Sequence, residues 1–225
     1  MEWNKVMVKD LEKLEKLKII AKCSYEEKER LINEVFPNMP KPAPSWIKET
    51  IDGHPVIIVN CSKEWMEWAL ELGNFIHKVA KYRKLKEYIE SNPEWRQSGF
   101  MGQFAVEFYW SGDWSAVLER IPLGKADSGD MTIGNFIINV ITRSKLYDGD
   151  DYAIIDKKRF ERKPYPLYIA CSRASEDKII IWGYARWDEV KEWDIGTFAE
   201  HPEAYYQDVK ALHPIEELNE LLSSQ

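Results

Sequence analysis

The sequence predicts an α/β fold: a mixed central sheet flanked by helices, with a helical N-terminal extension. Three observations carry this. Apolar residues recur every third position in the first helix-forming stretch, β-rich segments fill the region after Met131, and helical patterns both precede and close that series. The chain has 225 residues, 44% of them hydrophobic and 31% charged, a balance that can bury a core and excludes wholesale disorder or low complexity.

The elements follow in order. Val8, Leu11, Leu14, Leu17 and Ile20 line one face of a helix from Val8 to about Ala21, and a short helix is expected from Tyr25 to Val35. Pro37, Pro40, Pro42 and Pro44 break regular structure and form a linker. Trp46 to Ile51, the turn Asp52-Gly53 and Val56 to Val59 read as a β-hairpin. Ser62 caps a long helix running to about Glu90, with Trp65, Ala69, Leu72, Ile76 and Val79 on one face. A short helix from Gly99 to about Tyr109 precedes four β-rich segments, Met131–Thr142, Tyr152–Ile155, Tyr168–Cys171 and Lys178–Tyr184. Pro214 opens a closing helix that ends near Leu222. This divides the chain into residues 1–96, a helical region with a hairpin and a long helix, and residues 97–225, the core.

Charge restricts the functional classes. The formal net charge is −7, and it is unevenly held: residues 1–100 contain 17 Lys and Arg against 16 Asp and Glu, and residues 101–225 contain 14 against 22. A passive nucleic-acid coat is not expected of such a chain, although carboxylates gathered for a metal lower the charge of a nucleic-acid enzyme in the same way. Two basic runs stand out, Lys78, Lys81, Arg83, Lys84 and Lys86, then Lys157, Lys158, Arg159, Arg162 and Lys163. Each is either a solvated face or a phosphate contact, and Lys81, Arg83, Lys84, Lys157, Lys158 and Arg159 are the candidate nucleic-acid-binding residues. No apolar run approaches a membrane span, and the three cysteines lack metal or disulfide-framework spacing, so a cytoplasmic protein is expected. The four histidines form no ligand pair, and no phosphate-binding glycine loop is present. Trp110 and Trp114 could stack on bases, but tryptophans are more often core.

Gly99-Phe100-Met101-Gly102-Gln103-Phe104-Ala105-Val106-Glu107 places two glycines three apart, which lets a neighbouring element approach closely. Downstream, Asp127-Ser128-Gly129-Asp130 leads into Gly134-Asn135-Phe136-Ile137-Ile138-Asn139-Val140-Ile141-Thr142-Arg143. Together with Phe160–Cys171, Ile179–Tyr184 and Leu212–Leu218, these motifs resemble the PD-(D/E)XK, or restriction-endonuclease-like, superfamily over residues 97–223. The resemblance implies a restriction-endonuclease-like sheet, Mg²⁺ held by carboxylates, and a strand-end lysine that positions the attacking water. The chain departs from that pattern where chemistry is done: Gln103 stands for the helix Glu, Asn139 for the strand acid and Ile141 for the lysine, while Asp130 is retained.

The family's set, Gln103, Asp130, Asn139 and Ile141, is expected to converge in space. Read literally it is degenerate, because amides and a hydrocarbon hold a divalent cation poorly and cannot activate water. A migrated site is the alternative. Glu107 lies one turn beyond Gln103 and with Asp130 would supply metal ligands, while Arg143 shares a strand face with Asn139 and Ile141. The leading expectation is a nucleic-acid-binding protein, its ligand DNA, with a weak or inactive site. The alternatives are an active Mg²⁺-dependent endodeoxyribonuclease and a protein-interaction scaffold, with a homodimer or protein partner engaged through the N-terminal region. Asp156-Lys157-Lys158 and the acidic group Asp148, Asp150 and Asp151 are read as polar, solvated turns.

Overall fold

A computed structural model of the chain describes residues 45–67, 93–112, 131–133, 135–198 and 201–223, together with Glu12 and Glu34. The expected helices before residue 36, the proline-rich linker, residues 68–92 of the long helix, Trp114 and Asp130 lie outside the described residues, apart from Glu12 and Glu34. So do Lys81, Arg83 and Lys84.

The hairpin forms as expected. Strands β1 (Ser45–Ile51) and β2 (His54–Asn60) pair antiparallel around Asp52 and Gly53, whose φ angles of 50° and 84° give the turn a twist that matches the strands. Ser62 begins a helix over 63–67, its hydroxyl accepting the Trp65 amide at 3.4 Å. Helix α1 spans Pro93–Ser111, starting earlier than the glycine pair suggested. The β-rich segment from Met131 folds back on itself: β3 (Met131–Ile133) and β4 (Phe136–Leu146) form a second hairpin, with Ile133 opposite Phe136. Next come β5 (Tyr152–Asp156), the short helix α2 (Lys157–Arg162), β6 (Leu167–Ser175), β7 (Lys178–Arg186) and α3 (Trp187–Val190). Strands β8 (Asp194–Phe198) and β9 (His201–Asp208) and helix α4 (Glu217–Ser223) complete the order.

Among the described residues, six strands make a mixed sheet in the order β1-β2-β7-β6-β4-β3, in which β4 and β6 run parallel and the other neighbours antiparallel. The hairpin within residues 1–96 is bonded into it, Ile57 facing Ile181 across β2 and β7, so the boundary at residue 96 does not separate it from the core. Strands β5, β9 and β8 form a separate antiparallel sheet. Alternation along each strand sends side chains to two cores. Ile138, Val140, Ile169, Ile179 and Ile181 face α1 and α4, meeting Met101, Phe104, Ala105 and Leu218. Tyr168, Ala170, Ile180 and Trp182 face the small sheet, meeting Ala153, Ile155, Tyr205 and Phe160 of α2. Strands β6 and β7 are therefore buried on both faces, which is why they read as unbroken apolar runs.

One of the two helix glycines is a point of close packing. A Cβ on Gly102 would lie 1.8 Å from Thr142 Oγ1, whereas one on Gly99 would meet nothing within 4 Å. Gly102→Ala is expected to cost about 2 kcal/mol through forced movement of Thr142, and Gly99→Ala to be neutral or stabilising. Adding Thr142→Ala to Gly102→Ala should recover part of the loss in a denaturant titration. Full additivity of the two substitutions would refute the contact.

Candidate functional site

The two halves of the expected constellation lie on different sides of the sheet. Gln103 and Glu107 belong to α1, which packs through Gly102 on Thr142 and through Phe104 and Ala105 on the face of Ile138 and Val140. Asn139, Ile141 and Arg143 alternate to the opposite face, where Ile141 packs against the second core and Arg143 meets Asp151. Strand parity thus sets Asn139 and Ile141 away from Gln103, because a one-residue step along β4 reverses the direction of a side chain; the fourth member of the expected set, Asp130, lies outside the described residues. Gln103 is half-buried, Glu107 is buried at 6% exposure, and Asn139 is buried.

What the 139/141/143 row adjoins is a buried polar network. Asp151, 5% exposed, accepts hydrogen bonds from the Ser172 hydroxyl and, at 2.9 Å, from the Tyr152 amide, and Arg143 Nε lies 3.7 Å from its Oδ1. The Trp182 indole N–H donates to the Ser172 hydroxyl oxygen at 2.8 Å, and His54 Nε2–H donates to the Trp182 carbonyl at 2.8 Å. Tyr147 covers the network, its ring centroid 5.0 Å from that of Trp182. Burial pushes the Asp151 carboxyl above its ordinary range, because the bonds from Ser172 and Tyr152 and the charge of Arg143 only partly offset the loss of water. The network ties β4, β6 and β7 of the large sheet to the first residue of the small one.

This corrects the reading of Asp148, Asp150 and Asp151 as a solvated turn. Asp148 and Asp150 are exposed, but Asp151 is a buried hub. One signal was available: Ser172 ends the apolar run Leu167–Cys171, and a polar residue buried there requires a partner. Asp156-Lys157-Lys158, read as a polar turn, is instead the junction of β5 and α2: half-buried Asp156 caps the helix by accepting the Arg159 amide at 2.7 Å. The described histidines likewise have structural partners. His213 Nε2 lies 2.8 Å from Glu189 and its ring stacks on Tyr184, and His201 Nδ1 lies 3.3 Å from Asp156. Trp182 is fully buried, and Trp110 is half-buried against the first core.

Helix α2 concentrates the second basic run on a six-residue element, less than two turns long, at the end of β5. Phe160 faces the core, Lys158, Arg159 and Arg162 are exposed, and Lys157 Nζ bonds Glu203 at 2.7 Å. The four cations, against one acid, Glu161, make a positive surface on an acidic protein.

Among the described residues, which do not include Asp130, the expected set does not fit the Mg²⁺ that the resemblance implies. Two of the expected ligands are amides, the lysine position is a hydrocarbon in contact with the core, and α1 and the strand row are separated by the thickness of the sheet. Among the described residues no three His, Cys, Asp or Glu side chains gather as a metal site would require. No helix among them is long and apolar enough to cross a membrane. Comparisons with protein-family models, with curated proteins and with solved structures find no match to the chain.

Proposed function

We propose that this chain is a nucleic-acid-binding protein, with DNA its ligand, built on a restriction-endonuclease-like core whose catalytic positions have been lost to structural use. The chain order supports the fold: a helix, an antiparallel hairpin, a crossover that includes a helix, then a strand parallel to the second hairpin strand, realised as α1, β3, β4, α2 and β6. The observation that carries the loss of catalysis is the 139/141/143 row. Its three side chains are a buried amide, a hydrocarbon against the second core and a guanidinium engaged by Asp151, so none is disposed to activate water.

Binding then rests on the exposed cations of α2 and on phosphate contact rather than on overall charge. The test is charge reversal. Lys158→Glu with Arg159→Glu is expected to weaken DNA binding about 10-fold or more at low salt and to lower the slope of log affinity against log salt by roughly 1 to 2. Unchanged affinity and slope would remove α2 from the interface.

A further inference from the structure

We propose that the free edge of β1 is a self-pairing surface, through which two copies of this chain join antiparallel at Ile47 into one continuous sheet. This pairing is independent of nucleic-acid binding.

Strand β1 is the outermost strand of the large sheet, and Ser45 to Thr50 are all exposed. The direction of its backbone groups follows from the hairpin. The two-residue turn closes on the hydrogen-bonded pair Ile51 and His54, so the next pair, Thr50 opposite Pro55, is not bonded, as a proline without an N–H requires. The same holds two and four residues along, at Lys48 opposite Ile57 and Trp46 opposite Val59. The N–H and C=O groups of Trp46, Lys48 and Thr50 therefore point away from β2, toward the free edge. Side chains divide by parity: Trp46 and Lys48 share the first-core face of Val59 and Ile57, and Ser45, Ile47 and Glu49 share the other. Two large apolar side chains stay uncovered on this edge. Trp46 is 40% exposed although its ring meets Tyr109 edge-on at 5.1 Å, and Ile47 is 45% exposed.

The edge is complementary to itself in one register. Antiparallel pairing about a two-fold axis at Ile47 sets Trp46 opposite the partner's Lys48, and Lys48 opposite the partner's Trp46. Each of these pairs exchanges two backbone hydrogen bonds and places an ammonium group beside an indole ring. Ile47 meets the partner's Ile47 in the closer, non-hydrogen-bonded pair, and the Ser45 hydroxyl reaches the partner's Glu49. The other registers that keep side chains on their own faces are worse. Sliding the copies by two residues sets Lys48 against the partner's Lys48, and by four residues Glu49 against the partner's Glu49. Sliding the other way sets Lys48 against the partner's Pro44, which offers no N–H. A lysine on an open edge ordinarily discourages pairing, but Lys48 is neutralised by Glu216 of its own chain. The paired stretch is short, so the dimer is a weak one, with a dissociation constant of about 50 µM.

Sedimentation velocity of the full chain, from about 5 to 500 µM, tests this and is expected to show a monomer–dimer equilibrium. Ile47→Lys brings two ammonium groups together at the axis and should raise the dissociation constant about 10-fold or more. Because Ile47 is exposed, that variant should keep the wild-type thermal midpoint at low concentration, separating association from folding. Register is read by cysteine substitution in a Cys23→Ser background, Cys61 and Cys171 being buried. Ile47→Cys should give a disulfide-linked dimer under mild oxidation. Glu49→Cys should not, because in this register its two copies lie about 13 Å apart along the strands, beyond disulfide reach. A protein that stays monomeric throughout, a dimer indifferent to Ile47→Lys, or equal cross-linking at the two positions overturns the proposal.

Discussion

Asp151→Ala is expected to destabilise the protein by about 3 kcal/mol, because it removes the acceptor at the centre of the buried network and opens a small void. The Ser172 hydroxyl loses its acceptor, the Tyr152 amide loses a bond of 2.9 Å, and Arg143 faces a neutral methyl group. Asp151→Asn should cost far less, about 1 kcal/mol or below, since an amide oxygen can still accept from Ser172 and an uncharged group avoids the burial cost that raises the carboxyl's pKa. The sign of the pH dependence follows from that shift. A carboxyl whose folded pKa lies above its unfolded value of about 3.9 binds its proton more tightly in the folded state. Its stabilising contribution is complete below the unfolded pKa and is lost as pH rises through the folded one. Wild-type stability relative to Asp151→Asn should therefore fall as pH is raised from about 4, measured by denaturant midpoints at several pH values. A gap that widens in favour of the wild type would mean that the pair with Arg143 outweighs desolvation.

Gly183→Ala is expected to be comparably damaging, at about 3 kcal/mol, because the new methyl group has nowhere to go. A Cβ there would sit 2.1 Å from the carbonyl oxygen of His213, a backbone atom that cannot rotate aside. The two segments of the chain meet at this point through Tyr184 N–H to His213 O at 2.9 Å and His213 N–H to Tyr184 O at 3.0 Å. Opening the bridge displaces the segment that carries Ile215 and Leu218 into the first core. The measured result should be a lower thermal midpoint together with faster hydrogen exchange at Tyr184 and His213. Unchanged exchange at both amides would mean that the close approach is not maintained in solution.

The difference between these two sites and the expected catalytic set explains what could be read from the chain. The β1–β2 hairpin was legible because Asp52-Gly53 is a local instruction, satisfied within four residues. The cap at Ser62 was equally local. Strands β8 and β9 were not anticipated, since Asp194–Phe198 contains Gly196, and His201–Asp208 contains Pro202 and the acids Glu203 and Asp208 beside its tyrosines. Their pairing is decided by burial of Tyr205 and Ala204 rather than by alternation. In the site, the spacing of Asn139, Ile141 and Arg143 correctly gave one strand face, but no local pattern said which face α1 would cover. Asp151 was misread for the same reason: its partner Ser172 is 21 residues away, and only the topology brings them together.

The account's central claim is that the chain binds nucleic acid and does not cut it by the family's metal chemistry. The most direct measurement is electrophoresis of labelled single-stranded, duplex and branched DNA after incubation with the wild-type protein in Mg²⁺ or Mn²⁺. The account predicts a retarded complex that weakens as salt rises, with DNA recovered at full length. Metal-dependent fragments that disappear in Glu107→Ala or Asp130→Ala would contradict it and restore the migrated active site, and absence of any complex would contradict nucleic-acid binding itself.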